Sequence, residues 1–199
     1  MLIIGITGNL ASGKTTVARM FKQQGALVLD ADKIAHKAIC KDSVCYRKIV
    51  RVFGRGCLNK NDTISRQKLA KAAFGNRTNQ KQLISIIHPW VIGTITKRLK
   101  QYRRQKKYKA AVVDAVLLIE SGLYKKMDVN IVVKSTPAKQ LERVLKYRDL
   151  SMGEARQRMK FQMPLAEKIK YADYVIDNQS TLKNTEQQVR RLWKNFKFG

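Results

Sequence analysis

Eight residues, Gly8-Asn9-Leu10-Ala11-Ser12-Gly13-Lys14-Thr15, fit the pattern G-x-x-x-x-G-K-[ST] at every fixed position. The chemistry needs these types at this spacing. Glycine at 8 and 13 lets the backbone take turns closed to other residues. The loop N–H groups then converge on phosphate oxygens, helped by the positive end of the helix that follows. Lys14 is placed to reach the β- and γ-phosphates, and the Thr15 hydroxyl is placed to ligate Mg²⁺. The context fits as well. The apolar run Leu2–Ile6 precedes the loop, and Val17, Ala18 and Phe21 give the segment after it an amphipathic helical face. The loop implies a bound nucleoside triphosphate without separating kinases from GTPases or motor ATPases.

Carboxylates that could act on a phosphoryl group lie at the ends of apolar runs. Asp30-Ala31-Asp32 follows Ala26-Leu27-Val28-Leu29. In open α/β sheets ligands bind outside the carboxyl ends of the strands, so this pair is expected to face the same crevice as the phosphate loop. There Asp32 can take the proton of an attacking hydroxyl, while Asp30 suits a helix cap. Asp114 ends the run Ala110–Val113, where a metal-facing acid of phosphate-loop enzymes tends to lie, and it is expected to meet Mg²⁺ through water. Glu120 follows Val116-Leu117-Leu118-Ile119, and serving the substrate or pairing with a cation both remain open for it.

Phosphoryl transfer also needs positive charge on the transferred group. Arg143 and Arg148 lie on a helix entering a basic insert, about 146–170, that reads as a lid. Their forked guanidinium groups match phosphate better than an ammonium does, although in so basic a chain an arginine is also an ordinary surface residue. His36 lies one helical turn beyond Asp32 and can share its pocket. His88, before Pro89, is either a buried structural histidine or part of a site.

The elements that must position these groups alternate. Strand-like runs occur at Leu2–Ile6, Ala26–Leu29, Ala110–Val113, Asn130–Val133 and Tyr174–Ile176. They are short and nearly continuous in apolar residues, as in the buried strands of a parallel sheet. Helical stretches between them predict a layered α/β fold. Ser65 caps a helix running toward Gly75. Thr78 caps the next, Gln80–His88, which Pro89 ends or redirects. A long basic helix is expected from Trp90 to about Lys107. Pro137 opens a helix reaching Tyr147, and Thr181 starts a last helix through Trp193. The helical middle, about 57–108, interrupts the strand–helix rhythm as an inserted lobe.

The 199 residues suit one domain with a substantial core. No apolar run approaches the roughly 20 residues of a membrane-spanning helix, and no signal-peptide pattern is seen, so a cytoplasmic protein is expected. Cys40, Cys45 and Cys57 lack zinc-site spacing and read as reduced thiols. The net charge of +27 attracts anions: phosphorylated metabolites, nucleic acid or membrane surfaces. Its densest stretch, Lys97–Lys109, contains no acid. It reads as a solvated helix face, with non-specific nucleic-acid binding as the alternative, since no recognition motif accompanies it.

Taken together the segments resemble the dephospho-CoA kinase family. The resemblance is carried by Ile6–Thr16, by L-D-A-D-K-I-A-H at Leu29–His36 and by I-I-H-P at Ile86–Pro89. It continues in L-L-I-E-S-G-L-Y-K-K at Leu117–Lys126, R-x-x-x-x-R-D at Arg143–Asp149 and A-D-Y-V-I-D-N at Ala172–Asn178. It implies a phosphate-loop kinase with a five-stranded parallel core (1–56, 109–145 and 171–199), a helical CoA-binding lobe (about 57–108) and a lid (about 146–170). The implied reaction is ATP plus 3′-dephospho-CoA giving ADP plus coenzyme A, with Mg²⁺; separately, a monomer is expected. By that likeness Ala11, Ser12, Gly13, Lys14, Thr15 and Thr16 would bind the ATP phosphates with Arg143 and Arg148. Asp32 would be the base, acting with Lys14 and Arg148, and Thr7, Asp32, His36, His88 and Glu120 would line the acceptor pocket. Two departures stand out. Asn9, Leu10 and Ala11 replace part of the family's glycine-rich G-G-I-G-S-G-K, and Val116 replaces the proline of P-L-L-F-E. The competing readings are another small-molecule phosphate-loop kinase, acting on a nucleoside or nucleotide, and a basic nucleic-acid-binding protein with the same loop.

Overall fold

The computed structural model describes residues 1–73, 75–147, 152–160 and 162–198. The chain clusters into two compact units, Met1–Asp30 with Leu99–Gly199, and Ala31–Arg98. The first unit opens with β1 (Leu2–Thr7), α1 (Lys14–Gln23) and β2 (Leu27–Asp30). The second holds α2 (Ala31–Ala38), α3 (Val44–Phe53), α4 (Arg66–Ala73) and most of α5 (Arg77–Gln105). The first unit resumes with β3 (Ala110–Asp114), β4 (Val129–Lys134), α6 (Pro137–Tyr147) and α7 (Met152–Lys160). It closes with α8 (Leu165–Ile169), β5 (Tyr174–Asp177) and α9 (Leu182–Asn195).

Five parallel strands form one sheet in the order β2-β3-β1-β4-β5. All five expected strands are present, most of them longer than expected by a terminal residue. β1 lies at the centre, between β3 (Ile6 opposite Asp114) and β4 (Thr7 opposite Val132). Every residue of β3 is buried, which explains its unbroken Ala110-Ala111-Val112-Val113. The core packs Ile4, Ile6, Val112, Ile131 and Val133 of the sheet against Val17, Met20 and Phe21 of α1 and Val189 of α9. Phe21 stands 6.2 Å from the Trp193 ring and 6.4 Å from that of Phe196. Truncating it to alanine would cost about 3–5 kcal/mol. The order leaves the carboxyl end of β1 flanked by a strand on each side, the position at which open α/β sheets bind ligands.

The helical unit has its own core. Cys45 and Ile49 of α3, Leu58, Ile64 and Leu69 are buried together, with Leu83, Ile86, Ile87 and Trp90 of α5 packed against them. That packing explains one correction. Pro89 does not end a helix at His88; it lies inside α5, which runs unbroken from Arg77 to Gln105. An interior proline removes a hydrogen bond and crowds the preceding turn, but Leu83, Ile86, Ile87 and Trp90, on both sides of Pro89, pack partly buried against one core. The cap of this helix is Asn76 rather than Thr78, since the Asn76 side chain accepts from the Asn79 N–H at 2.8 Å. The helix also stops at Gln105, just before Lys106 takes a left-handed φ of 53°. The Ser65, Pro137 and Thr181 starts are as expected: Ser65 Oγ accepts from the Lys68 N–H, and Thr181 Oγ1 from the Asn184 N–H. Among the described residues no helix is long and apolar enough to cross a membrane.

Candidate active site

The loop between β1 and α1 is built from backbone that only these residues allow. A Cβ on Gly8 would come within 2.5 Å of the Val133 carbonyl oxygen. Gly13 has φ 96°, and a Cβ there would overlap Asn178 Nδ2. Gly13 is the N-cap of α1 and supplies no side chain to its first turn, which also holds no acid. The N–H groups of that turn lack intrahelical acceptors and are thus available to an anion.

Two loop carbonyls, of Ala11 and Ser12, are tied down by side chains. Asn178 Nδ2 donates to the Ser12 carbonyl at 2.8 Å, and Thr185 Oγ1 donates to Asn178 Oδ1 at 3.0 Å. Arg143 Nη1 donates to the Ala11 and Ser12 carbonyls, each at 3.2 Å, and to Ser135 Oγ. Its Nη2 donates to the Asn178 carbonyl at 3.2 Å. The Arg143 donors thus meet the loop backbone and tie down the carbonyls of Ala11 and Ser12. Ala11 sits at φ 57°, a left-handed conformation unusual for a residue with a Cβ.

Lys14 is only 3% exposed. Thr15 Oγ1 donates to Asp114 Oδ2 at 2.8 Å, and Asp114 is 4% exposed at the end of β3. A hydroxyl and a carboxylate oxygen side by side are the hard oxygen donors that Mg²⁺ selects. Ser12 Oγ, also buried in the loop, makes no hydrogen bond among the described residues. Thr7 is fully buried and donates its hydroxyl to the Val116 carbonyl at 3.0 Å.

A second polar cluster adjoins Thr7. Lys168, 0% exposed on α8, donates to the same Val116 carbonyl at 2.7 Å and pairs with Glu120 at 3.0 Å. Burial pushes its ammonium below the usual lysine range against the pull of Glu120, and the charge of Lys14 pushes the same way. Glu120 also accepts from the Met163 N–H at 3.1 Å. One residue earlier, Gln162 Oε1 accepts from the Leu10 N–H at 2.8 Å. The Leu10 side chain is buried with Val144 of α6 and Ala155 of α7, against Leu141 and Met159.

In the helical unit Asp32 stands in the first turn of α2 and His36 one turn later, both exposed. His88 is half-buried on α5, beside the exposed Pro89. Thus the loop residues Ala11–Thr16, Thr7, Asp114, Glu120 and Arg143 come together in one unit, and Asp32, His36 and His88 belong to the other. Arg148 and Asp149 lie outside the described residues. Sequence reasoning gave no site role to Asn178, Lys168 or Gln162. Asn178 carried a usable signal, since it follows the last strand-like run at the carboxyl edge of the sheet. The other two act through contacts across the fold.

A sequence model of the dephospho-CoA kinase family matches residues 2–184. The dephospho-CoA kinase of Bacillus licheniformis is 43% identical over 197 residues, covering 98% of each chain. The crystal structure of TT1252 from Thermus thermophilus superimposes with a TM-score of 0.80 at 28% identity, covering 98% of both chains. The dephospho-CoA kinase from Campylobacter jejuni superimposes with a TM-score of 0.69 at 27% identity, over 96% of this chain and 95% of that one.

Proposed function

The chain belongs to the dephospho-CoA kinase family, and from that premise we propose how its own residues carry out the reaction. The protein phosphorylates the ribose 3′-hydroxyl of dephospho-CoA with ATP, giving coenzyme A and ADP. The observation that carries the residue-level reading is the loop of residues 8–15, whose Ala11 and Ser12 carbonyls are held by Asn178 and Arg143.

ATP would lie with its phosphates on the N–H groups of the loop and of the first turn of α1, from Ala11 to Thr16. Lys14 would neutralise the β- and γ-phosphates, and Arg143 would hold the loop in its binding form. The Thr15 hydroxyl, and Asp114 through water, would hold Mg²⁺. When bound, that ion supplies positive charge that offsets charge developing on the phosphate oxygens. The exposed carboxylate of Asp32 would take the proton of the acceptor 3′-hydroxyl as its oxygen bonds to the γ-phosphorus. The bond from that phosphorus to the β,γ-bridging oxygen breaks in line, and ADP leaves with the electron pair. His36 and His88 would orient the acceptor on the helical unit, and the segment 146–170, with Arg148, would close over the phosphates and exclude water. The three free thiols accord with action in the cytoplasm.

The test measures ADP release from ATP and Mg²⁺ with and without 3′-dephospho-CoA, alongside a panel of nucleosides and nucleotides. Acceptor-dependent ADP with coenzyme A formed is expected. Turnover of a nucleoside with no response to dephospho-CoA would overturn the reading.

A further inference from the structure

We infer that Lys168 is a positioning residue for phosphoryl transfer, locking the segment 162–168 so that Gln162 holds the phosphate loop. The inference rests on the reading that residues 8–15 bind the ATP phosphates.

A lysine with no exposed surface is expensive to bury unless its donors are used. Lys168 uses them at a junction. Its Nζ donates to the Val116 carbonyl, which also accepts the hydroxyl of Thr7, the last residue before the loop. The paired Glu120 carboxylate in turn receives the Met163 N–H. Met163 is the immediate neighbour of Gln162, whose side chain accepts the Leu10 N–H inside the loop. One ammonium therefore fixes both ends of a short connection: the β1 end through Thr7, and the insert end through Glu120, Met163 and Gln162. Lys14 is close enough for its charge to be felt at Lys168. Surface solvation gains nothing from a cation at this place, and an apolar residue would fill the space without joining the two sides. A cation that aligns the loop with the basic insert accounts for both its burial and its partners.

Removing the ammonium leaves Glu120, itself only 19% exposed at its side chain, without its cation. The segment 162–168 then loses its fixed register, and the Gln162 contact to Leu10 loosens. The loop would bind nucleotide less well, whereas the acceptor's affinity would hardly change.

The experiment is steady-state kinetics of Lys168→Met, Glu120→Gln, the double variant, Gln162→Ala and Lys14→Ala. Each is assayed well below its own thermal midpoint, with ATP and dephospho-CoA varied separately. Lys168→Met is expected to raise KM for ATP on the order of tenfold or more, with KM for dephospho-CoA within about twofold. The double variant is expected to be no worse than the poorer single variant, as coupled partners require. A merely structural lysine would lower the melting temperature and leave both KM values of the folded fraction unchanged, and that result overturns the inference. If Lys168→Met does not fold, Gln162→Ala decides: a several-fold rise in KM for ATP sustains the inference, and no change overturns it. If Lys14→Ala keeps full ATP affinity and turnover, the loop reading fails and the inference fails with it. Loss in Lys14→Ala with no change in Lys168→Met and Gln162→Ala overturns the inference alone.

Discussion

Asn178 Nδ2 donates to the Ser12 carbonyl at 2.8 Å across 166 residues of chain. Through this contact the end of β5 sets the conformation of a loop that leaves β1. The same asparagine excludes any side chain at position 13 and accepts from Thr185 at the start of α9.

Asn178→Ala is therefore expected to weaken ATP binding and to lower stability by about 1–3 kcal/mol, the cost of leaving buried polar groups unpaired. Thermal melts with and without ATP check both effects. A variant with the wild-type melting temperature and wild-type ATP affinity would show that Arg143 alone suffices to hold the loop.

Asp32→Asn keeps the shape of the side chain and removes the proton acceptor proposed above. Turnover is expected to fall by roughly 10²–10⁴ at similar ATP affinity, the usual range for a general base. Single-turnover kinetics measure the chemical step directly, and an unchanged rate removes Asp32 from the mechanism.

Pro89 is exposed inside α5, where a proline costs about 3 kcal/mol relative to alanine. Pro89→Ala is expected to stabilise the protein and raise its thermal midpoint by several degrees. Calorimetry checks this. A lower midpoint would mean that the proline relieves a distortion of the helix that alanine does not.

Cys45 and Cys57 are buried, and burial pushes both thiols above their ordinary range, whereas Cys40 is exposed. Because the thiolate is the reactive form, a disulfide-exchange reagent at neutral pH is expected to modify Cys40 rapidly in the native protein. The other two should react only after unfolding. Counting modified thiols per chain in each state settles it.

Burial raises the Asp177 carboxyl, but hydrogen bonds from Lys134 and from the Gln179 N–H outweigh it and hold the group below the usual carboxylate range. A depressed folded pKa adds stability above the unfolded value, near 3.9, that is lost as pH falls through the folded one. Asp177→Asn should thus be less stable than the parent at neutral pH and approach it in acid. The difference should stay below about 1 kcal/mol because the pair is partly solvated. Denaturant midpoints from pH 7 to pH 2 follow it.

The strands were readable because each is a short apolar run ended by a polar residue such as Asp30, Asp114 or Asp177, even in β5, where Tyr174 and Val175 are exposed. The phosphate loop was readable because backbone geometry dictates its residue types. The passage of α5 through Pro89 was hidden, since the local preference of a proline is overridden by packing from Leu83 to Trp90 that appears only in three dimensions. Lys168 was hidden for the opposite reason. In a chain with 41 lysines and arginines, one more cation carries no mark of burial. Its partners Val116 and Glu120 lie some fifty residues away.

The central place of β1 also bears on how the protein is made. Leu2 pairs with Ala110, and Ile4 with Val129, so the central strand is made before its neighbours, which follow on the order of a hundred residues later. At roughly 5–20 residues per second, the segment Leu2–Thr7 waits on the order of ten seconds with both edges unsatisfied. Newly made chains thus pass through a sticky interval in which slow translation favours aggregation and a chaperone that shields the first strand favours the native sheet.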